Sequence, residues 1–592
     1  MTLAALAAAP GVAAERLVVK VGPLSQVVEL SDLETFARTG QVPPNLRLYQ
    51  RFLSPQVQLS LQQTLDLDPQ MGDRMIEEIL ASANGDLLLE ALTAIAPNLG
   101  LPQLQAAIRL AASQTHGLSV LGILRAIPQE TLELDLSTAI ALVSQFNLSA
   151  LESRSLSGLL EQELAVDGAV ALANHLDPTM PGLLEVSQRT LTLRDLDRQR
   201  VIPVEVHWSR DLQDQTVGPM VVLSHGFGAD RFFLDYIAKH LASHGLTVVS
   251  VEHPGSNVQA LLDLSLDPDM AESPSRLLPA TEFLDRPRDI TFVLDRLTQI
   301  SQGSSFYKDL FNTEDVTIIG HSLGGYTGLA LAGARLDLRS LQSFCQNIQP
   351  LGISPADWLQ CAAVDLPEPM ADLRDDRIQQ VIAMNPLIGK LFGEAGLSQV
   401  TVPTLLLTGT QDSVTPTLDQ QLRPFTQLAG PKYLLAVIGG THLSVGDPNN
   451  VNPALSDLPF MSELPVAETA QLRRLLQGLT LSFVQQRSPE AAQYSPFLSP
   501  AYVQSFSTPM LPLRLTQTLP SSIRSWLAVT TRISANKQPT IASRLIALSY
   551  LQALDNRHQW QQAMAVHLQA NHVVTVLRSP FPWLPFPLLM AP

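Results

Sequence analysis

The chain of 592 residues is 45% apolar and only 16% charged, a composition that predicts two or three packed domains and excludes a disordered chain. Its formal net charge of −17 at pH 7 excludes the basic surface that binds nucleic-acid phosphates, so no nucleic-acid partner is predicted.

The first 14 residues are small and apolar and end in Val12, Ala13 and Ala14, which suits cleavage by signal peptidase. Because the basic residues that open a secretory signal are missing, residues 1–14 are interpreted as the remnant of a signal peptide whose start was placed too late. We expect export to the periplasm or the cell exterior; if the segment is only an Ala-rich helix, the protein is cytoplasmic. No apolar run of about 18 residues follows, so no transmembrane helix is predicted.

Residues 15–185 predict a mainly helical N-terminal domain. It opens with one strand-like alternation, RLVVKVG, and continues as amphipathic segments that end at Gly or Pro. These segments include LSDLETFARTG, MIEEILASANGDLLLEALTAI and LPQLQAAIRLAAS. This half of the sequence carries no chemical motif.

From about residue 186, short apolar runs alternate with helical patterns, which is typical of a mostly parallel sheet with crossover helices. A pair of strands around a charged turn is predicted in RTLTLRDLDRQRVIPVEVHW. Six further strands are predicted in PMVVLSHGFG, LTVVSVEHPG, DVTIIGHSLGG, IQQVIAMNP, VPTLLLTGTQD and YLLAVIGGTH. We assign residues 186–520 to this α/β domain and leave 521–592, with helical periodicity in TIASRLIALSYLQAL and QWQQAMAVHLQA, as an unassigned C-terminal extension.

The stretch VTIIGHSLGGY joins a strand pattern directly to a helical one through Gly320-His321-Ser322-Leu323-Gly324, a GxSxG sequence. In this context the motif predicts a nucleophile elbow, a strained turn that lifts the Ser322 hydroxyl above the sheet. Gly320 and Gly324 are expected to leave room for the neighbouring strand and helix.

A serine is a nucleophile only when a base takes its proton and an acid orients that base. Asp412 follows the strand VPTLLLTG and His442 follows YLLAVIGG, so both are expected at the same sheet edge as Ser322. The alternatives are a helix-capping carboxylate for Asp412 and a surface histidine for His442. His225 and His321 adjoin the motifs and are interpreted as positioning residues.

The loop HGFG after an earlier strand predicts the second half of an oxyanion hole. The amides of Phe227 and Leu323 are the expected donors, with His225 and Gly226 supporting the loop. A dinucleotide-binding loop is disfavoured because the GxGxxG spacing is missing. No metal-ligand spacing occurs, and no metal or cofactor is predicted.

The two cysteines, Cys345 and Cys361, lie in one segment and suit a single disulfide in an oxidising compartment, although two free buried thiols are the alternative. The surrounding residues 337–375 interrupt the sheet pattern and are a candidate cap over the pocket. Its apolar residues Leu351, Ile353, Trp358 and Leu359 would then line an acyl or lipid site, with Trp358 as its wall. A surface excursion with its own small core is the alternative.

The segments LSHGFGADRFFLDYIAKHLASHGLTVVSVEHPGSN and IIGHSLGGYTGLALAGA resemble the α/β-hydrolase superfamily, and within it the platelet-activating-factor acetylhydrolase and predicted dienelactone-hydrolase group. The resemblance covers about 186–510 and implies Ser322 as nucleophile, Asp412 as acid and His442 as base, without a cofactor. The block from ERLVVKVGPLSQVVELSDLETFARTG is similar to a helical domain of unknown function that precedes such hydrolases in exported cyanobacterial proteins.

The implied activity is hydrolysis of short to medium acyl esters or phospholipid-like esters, with peripheral membrane contact left open. An acyltransferase that uses the same serine and an inactive hydrolase-like scaffold that binds a partner are the other two hypotheses.

Overall fold

The computed structural model describes residues 15–47 except 22–23, isolated positions between 58 and 110, and the ranges 120–135, 148–167, 176–209, 218–265, 278–346, 354–367, 372–452, 455, 463–524 and 527. Several predicted elements lie outside these residues: the signal-peptide remnant 1–14, the helix at 75–95, and the C-terminal helices at 540–554 and 559–570. Within the described part, no helix is both long and apolar enough to cross a bilayer.

The N-terminal region contains a small sheet as well as helices. Its elements are β1 (Arg16–Val21), β2 (Leu24–Glu29), α1 (Leu30–Thr39), α2 (Val120–Ala126) and β3 (Thr131–Asp135). Strand β1 pairs antiparallel with β2 and parallel with β3. Only β1 is a predicted strand, because β3 finds its partner across more than a hundred residues and has no local signal of its own.

Helix α3 (Leu148–Glu163) lies in the predicted N-terminal domain but packs against the large sheet. Its residues Leu156 and Leu160 are fully buried in that core. Ser157 Oγ donates a hydrogen bond of 2.7 Å to Thr410 Oγ1. The domain boundary at residue 185 stays a prediction, although this helix contributes to the core that follows it.

Nine described strands form the large sheet, in the order β12-β11-β10-β9-β8-β6-β7-β5-β4. They are β4 (Val186–Asp195), β5 (Arg200–Ser209), β6 (Met220–Ser224), β7 (Val248–Val251), β8 (Val316–His321), β9 (Ile378–Met384), β10 (Thr404–Gly409), β11 (Lys432–Val437) and β12 (Leu513–Thr516). Strands β6 to β11 pair in parallel, while β4, β5 and β12 are antiparallel to their neighbours. The predicted α/β class is confirmed, and β12 is an additional strand that the sequence pattern did not predict.

The helices of this part cover both faces of the sheet. They are α4 (Asp235–Ser243), α5 (Val258–Ser265), α6 (Glu282–Gly303), α7 (Leu323–Leu331), α8 (Leu338–Gln346), α9 (Pro355–Cys361), α10 (Gly393–Leu397), α11 (Arg423–Gln427), α12 (Ala470–Val484), α13 (Ala491–Tyr494) and α14 (Pro500–Gln504). A π-helix, Leu418–Leu422, precedes α11.

Alternate residues of the central strands enter two different hydrophobic cores. On β8, Ile318 packs into the core with α6 and α7, whereas Ile319 packs into the core with α4 and α12. A strand buried on both faces requires an almost continuous apolar run, which is the pattern that made these strands predictable. The carboxyl ends of the parallel strands therefore meet at one edge, above a rigid base.

The excursion between α7 and β9 joins the main core. Leu341 of α8 and Leu359 of α9 are buried with the residues of α6 and α7, so the described part of the segment shares the main core. A disulfide joins Cys345 to Cys361, with 5.7 Å between their Cα atoms, which confirms the predicted pairing. Helix α9 begins with a complete capping box between Ser354 and Asp357.

A buried ionic cluster on α6 supports the loops after β6 and β7. Arg286 is fully buried and donates to Ser256 Oγ at 2.7 Å and to the carbonyl of His225. Ser256 Oγ in turn donates to Glu282 Oε2 at 2.6 Å. Burial lowers the pKa of the Arg286 guanidinium to about 10, so it stays charged at neutral pH. The same helix carries Asp289, which pairs with Arg198 and Arg200.

We expect Arg286→Leu to lower the free energy of unfolding by about 3 kcal/mol or more, because it leaves the buried His225 carbonyl and the Ser256 hydroxyl without the cation that donates to them. Arg286→Lys keeps the charge but loses the planar fork, and its loss should be smaller. Arg288 on the same helix is exposed, so Arg288→Leu is the matched control and should stay within about 0.5 kcal/mol. Urea unfolding measures all three; equal stability of the Leu variants would contradict the expectation.

Removing the disulfide with the double substitution Cys345→Ser and Cys361→Ser should destabilise the protein by up to about 3 kcal/mol, because the bond closes a loop of about 15 residues. Its presence is checked by counting free thiols on denatured, unreduced protein made in an oxidising compartment. Two reactive thiols in that material would contradict the bond.

Candidate active site

The turn between β8 and α7 has the strained backbone expected of a nucleophile elbow. Ser322 occupies it with φ 53° and ψ −115°, a conformation that non-glycine residues rarely adopt. The Ser322 amide donates to the Met384 carbonyl at 2.9 Å, and the Ser322 carbonyl accepts from Leu387 N at 3.1 Å. The end of β9 and the loop after it thus hold the turn through backbone hydrogen bonds.

Close backbone approach explains the two glycines of the motif. A Cβ on Gly320 would lie 2.1 Å from the Gly324 carbonyl oxygen, and a Cβ on Gly324 would lie 2.0 Å from the Ser224 carbonyl oxygen. Any side chain at either position would push α7 away from β6 and β8.

Asp412 and His442 meet at the edge formed by the ends of β10 and β11. His442 Nδ1 lies 2.7 Å from Asp412 Oδ2, and the side chains are 5% and 0% exposed. Since a carboxylate only accepts, Nδ1 carries the proton and Nε2 is left as the ring's acceptor. His442 is therefore a buried histidine, unlike the surface histidine of the alternative interpretation.

The Asp412 carboxylate is fully satisfied by its own loop. Oδ1 accepts from the amides of Val414 and Thr415 at 2.8 and 2.7 Å, and Oδ2 also accepts from Thr415 Oγ1 at 2.7 Å. Charge-assisted hydrogen bonds of this kind offset the cost of burying a carboxylate. The π-helix that follows begins at Leu418 with Thr417 as its N-cap, so Asp412 is not the helix-capping carboxylate of the alternative interpretation.

His321, the residue before Ser322, contacts His442 and so brings the two parts of the site together. The His321 ring lies 4.7 Å from the His442 ring, and His321 Nε2 donates to the His442 carbonyl at 2.9 Å. Among the described residues, no hydrogen bond joins Ser322 Oγ to His442 Nε2. Contacts of this type are often long before substrate binds and tighten in the complex.

The HGFG loop lies against the elbow. A Cβ on Gly226 would lie 2.9 Å from His321 Nδ1 and 3.2 Å from Ser322 Cβ, so a side chain here would have to displace the His321 ring. In the described structure the amides of Phe227 and Leu323 have no acceptor, whereas the next amide, Gly228, donates to the Ser256 carbonyl. Two free amides beside a nucleophile are the arrangement that an oxyanion requires.

His225 and His321 are buried supports. His225 Nδ1 donates to the Gly226 carbonyl at 2.7 Å, and its Nε2 accepts from the His253 amide at 3.0 Å, so both ring nitrogens are occupied. Burial lowers the pKa of both His225 and His321 well below the usual range for histidine. Both rings are thus held by buried hydrogen bonds, and their role as positioning residues stays a prediction.

A second serine, histidine and aspartate are aligned beneath the HGFG loop. Ser224 Oγ lies 3.0 Å from His253 Nε2, and His253 Nδ1 lies 3.1 Å from Asp289 Oδ2, all fully buried. Ser224 sits in regular β6, paired with β7 and β8, without the backbone strain of Ser322. The His253 amide contacts His225, so this group supports the loop.

Three further residues around His442 were missed by sequence reasoning. Asn385 Nδ2 donates to the carbonyls of Thr441 and His442, and Thr415 Oγ1 lies 3.3 Å from His442 Nδ1. Glu463 accepts from Thr441 Oγ1 and from Leu443 N. Asn385 follows a predicted strand, which is a weak signal, but Glu463 lies in no motif.

Trp358 is half-buried on α9, while Leu351 and Ile353 lie outside the described residues. The amide of Ala356, two residues before Trp358, donates to the Val414 carbonyl in the Asp412 loop at 3.0 Å. Within the described residues, no group of three or more potential ligands is placed to hold a metal ion. A cavity of about 390 Å³ opens elsewhere, lined by Gln188, Phe232, Asp235, Lys239, Asp447, Asn449 and Asn450.

Two family models match the chain. Residues 221–454 match a family described as "Alpha/beta hydrolase family". Residues 13–135, in the N-terminal region, match a family described as "Alpha/beta hydrolase of unknown function". The first match contains the elbow, Asp412 and His442.

Three curated relatives are similar over a shorter stretch, each named platelet-activating factor acetylhydrolase. The protein of Canis lupus familiaris is 26% identical over 155 residues, which is 22% of this chain and 35% of the relative. Those of Bos taurus and Cavia porcellus are 28% and 29% identical over 150 residues, covering 20% and 21% of this chain and 33% and 34% of the relatives. This chain thus spans about a third of the length of the relatives it matches. Together with the mostly parallel sheet, these matches show that this part of the chain has the α/β-hydrolase fold.

Proposed function

We propose that the protein is a serine carboxylic-ester hydrolase in which Ser322 is the nucleophile, His442 the base and Asp412 the acid. The observation that carries the proposal is the buried hydrogen bond between Asp412 and His442 at 2.7 Å, beside a serine in a strained elbow. This combination supplies an oriented base whose Nε2 carries the accepting lone pair.

The reaction follows from these contacts. His442 Nε2 takes the proton of Ser322 Oγ as the oxygen attacks the ester carbonyl, and the Asp412 carboxylate stabilises the imidazolium that forms. The oxyanion accepts from the amides of Phe227 and Leu323. His442 then gives its proton to the leaving alcohol and activates water, which releases the acid and restores Ser322.

The proposed substrates are short to medium acyl esters, including phospholipid-like esters met at a lipid surface. The support is the similarity to relatives named as acetylhydrolases of platelet-activating factor, over about a third of their length. The proposed acyl site lies beside α9, because the contact from Ala356 to Val414 brings that helix against the Asp412 loop. Trp358 is the proposed wall.

We also propose that the protein is exported. The disulfide between Cys345 and Cys361 supports this location, because such bonds persist in oxidising compartments. The small, apolar composition of residues 1–14 also supports export.

Ser322→Ala should abolish ester hydrolysis, with turnover falling by about 10⁴ to 10⁶ and the fold unchanged. Asp412→Asn should lose less, because it keeps the shape of the acid but not its charge. The assay is hydrolysis of p-nitrophenyl acetate and butyrate, with circular dichroism as the check of folding.

An organophosphonate and peptide mass mapping identify the nucleophile directly. We expect the adduct on Ser322, and Ser224→Ala should still be labelled there. An adduct on Ser224, or near wild-type activity in Ser322→Ala, would contradict the assignment. If added alcohols receive the acyl group in preference to water, the protein is an acyltransferase instead.

Catalytic efficiency should rise from acetate to butyrate and then fall toward long chains, because a short pocket leaves surplus carbons in water. Each methylene that is buried contributes at most about 0.8 kcal/mol. Trp358→Ala should flatten this profile. The measurement is kcat/KM for acyl chains from about two to sixteen carbons, with a 2-acetyl phospholipid analogue alongside.

Trp208→Ala is the matched control for the profile. Trp208 is also half-buried, but it lies near the carboxyl end of β5. This end of β5 pairs with the amino end of β7, at the sheet edge opposite Ser322. A steady rise to the longest chain in the wild type would rule out the short pocket. An unchanged profile in Trp358→Ala would remove Trp358 from it.

A further inference from the structure

Glu463 contacts the residues on both sides of His442. Its Oε2 accepts from Thr441 Oγ1 at 2.6 Å, and its Oε1 accepts from the Leu443 amide at 3.2 Å. One carboxylate therefore holds a side chain before the histidine and a backbone amide after it. Neither contact involves the imidazole itself.

The peptide unit that joins His442 to Leu443 is held at its carbonyl oxygen by two other residues. The His442 carbonyl accepts from His321 Nε2 at 2.9 Å and from Asn385 Nδ2 at 3.1 Å. The peptide unit between His442 and Leu443 thus has its oxygen and its N–H both engaged. With the backbone fixed, only the side-chain torsions of His442 remain, and Asp412 fixes those.

The loop that leads to Glu463 also touches the proposed oxyanion loop. Asn452 Nδ2 donates to the Gly228 carbonyl at 2.9 Å. A Cβ on Gly228 would lie 3.1 Å from Leu455 Cδ2, so that side chain packs on the same residue. The chain thus leaves His442, contacts Gly228 and returns to Thr441 and Leu443 at Glu463.

We propose that Glu463 is a positioning residue for His442, fixing the backbone on both sides of the histidine so that Nε2 faces Ser322. The proposal rests on the proposed function, in which His442 is the base. Burial raises the pKa of Glu463, while the hydrogen bonds from Thr441 and Leu443 favour its ionised form. The two hydrogen bonds thus offset part of the cost of removing the Glu463 carboxylate from water.

Glu463→Ala removes both contacts and should lower kcat for p-nitrophenyl butyrate by about 10²-fold, with KM within about twofold, because the base is displaced only slightly. Glu463→Gln keeps an acceptor for the Leu443 amide and should recover most of the lost kcat. Glu468→Ala, five residues on in the same segment, is the control and should match the wild type.

Thr441→Val tests the contact from the other side, because it removes the hydroxyl donor and keeps the shape. Its loss of kcat should be smaller than that of Glu463→Ala, and the two losses combined should be less than additive, since they break one shared interaction. Wild-type kcat in Glu463→Ala, or Glu463→Gln as slow as Glu463→Ala, would overturn the proposal. Lowered thermal stability with unchanged kcat would also overturn it.

A second readout does not depend on catalysis. The proton between His442 Nδ1 and Asp412 should give a low-field NMR resonance, identified by its absence in His442→Gln. We expect this resonance to be lost or broadened in Glu463→Ala and kept in Glu463→Gln and Glu468→Ala. If the wild type neither hydrolyses esters nor takes up the phosphonate, the proposed function fails, while an unchanged resonance in Glu463→Ala separately overturns the role of Glu463.

Discussion

The contact on which the site depends is the approach of α7 to the ends of β6 and β8, closer than any side chain permits. Gly320 and Gly324 allow it, and Gly226 brings the next loop to Ser322 in the same way. Because the backbones touch, the strained turn at Ser322 has no space in which to relax. The strain is maintained by packing around it, as it must be for a conformation that local sequence alone disfavours.

The parts of the fold that depend on local sequence patterns were predictable from the sequence. The parallel strands are continuous apolar runs, and Asp412 and His442 stand directly after two of them. Strand β3, the docking of α3 on the large sheet, and the contacts of Glu463 depend on partners far away in the chain. Such pairings leave no periodicity or spacing in the sequence, so Asn385 and Glu463 were missed, whereas His225 and His321, which adjoin the motifs, were named as supports.

The two Ser-His-Asp groups contain the same three residue types in different backbone settings. Ser224 and His253 are hydrogen-bonded at 3.0 Å, yet Ser224 lies in a regular strand and its partners hold a loop in place. Ser322 differs in its backbone and in the two unengaged amides beside it. By side-chain hydrogen bonds alone the Ser224 group is the more complete of the two, whereas the backbone conformation singles out Ser322.

The excursion that carries α8 and α9 leaves and rejoins the fold at nearly one point. The Asp375 amide donates to the Leu331 carbonyl at 2.9 Å, so the two ends are already joined by a hydrogen bond. A segment with adjoining ends is exchangeable: its length and composition can change during evolution while the strands on either side keep their register. Replacement of this one segment can therefore change the surroundings of the Asp412 loop while Ser322, Asp412 and His442 keep their places in the sheet.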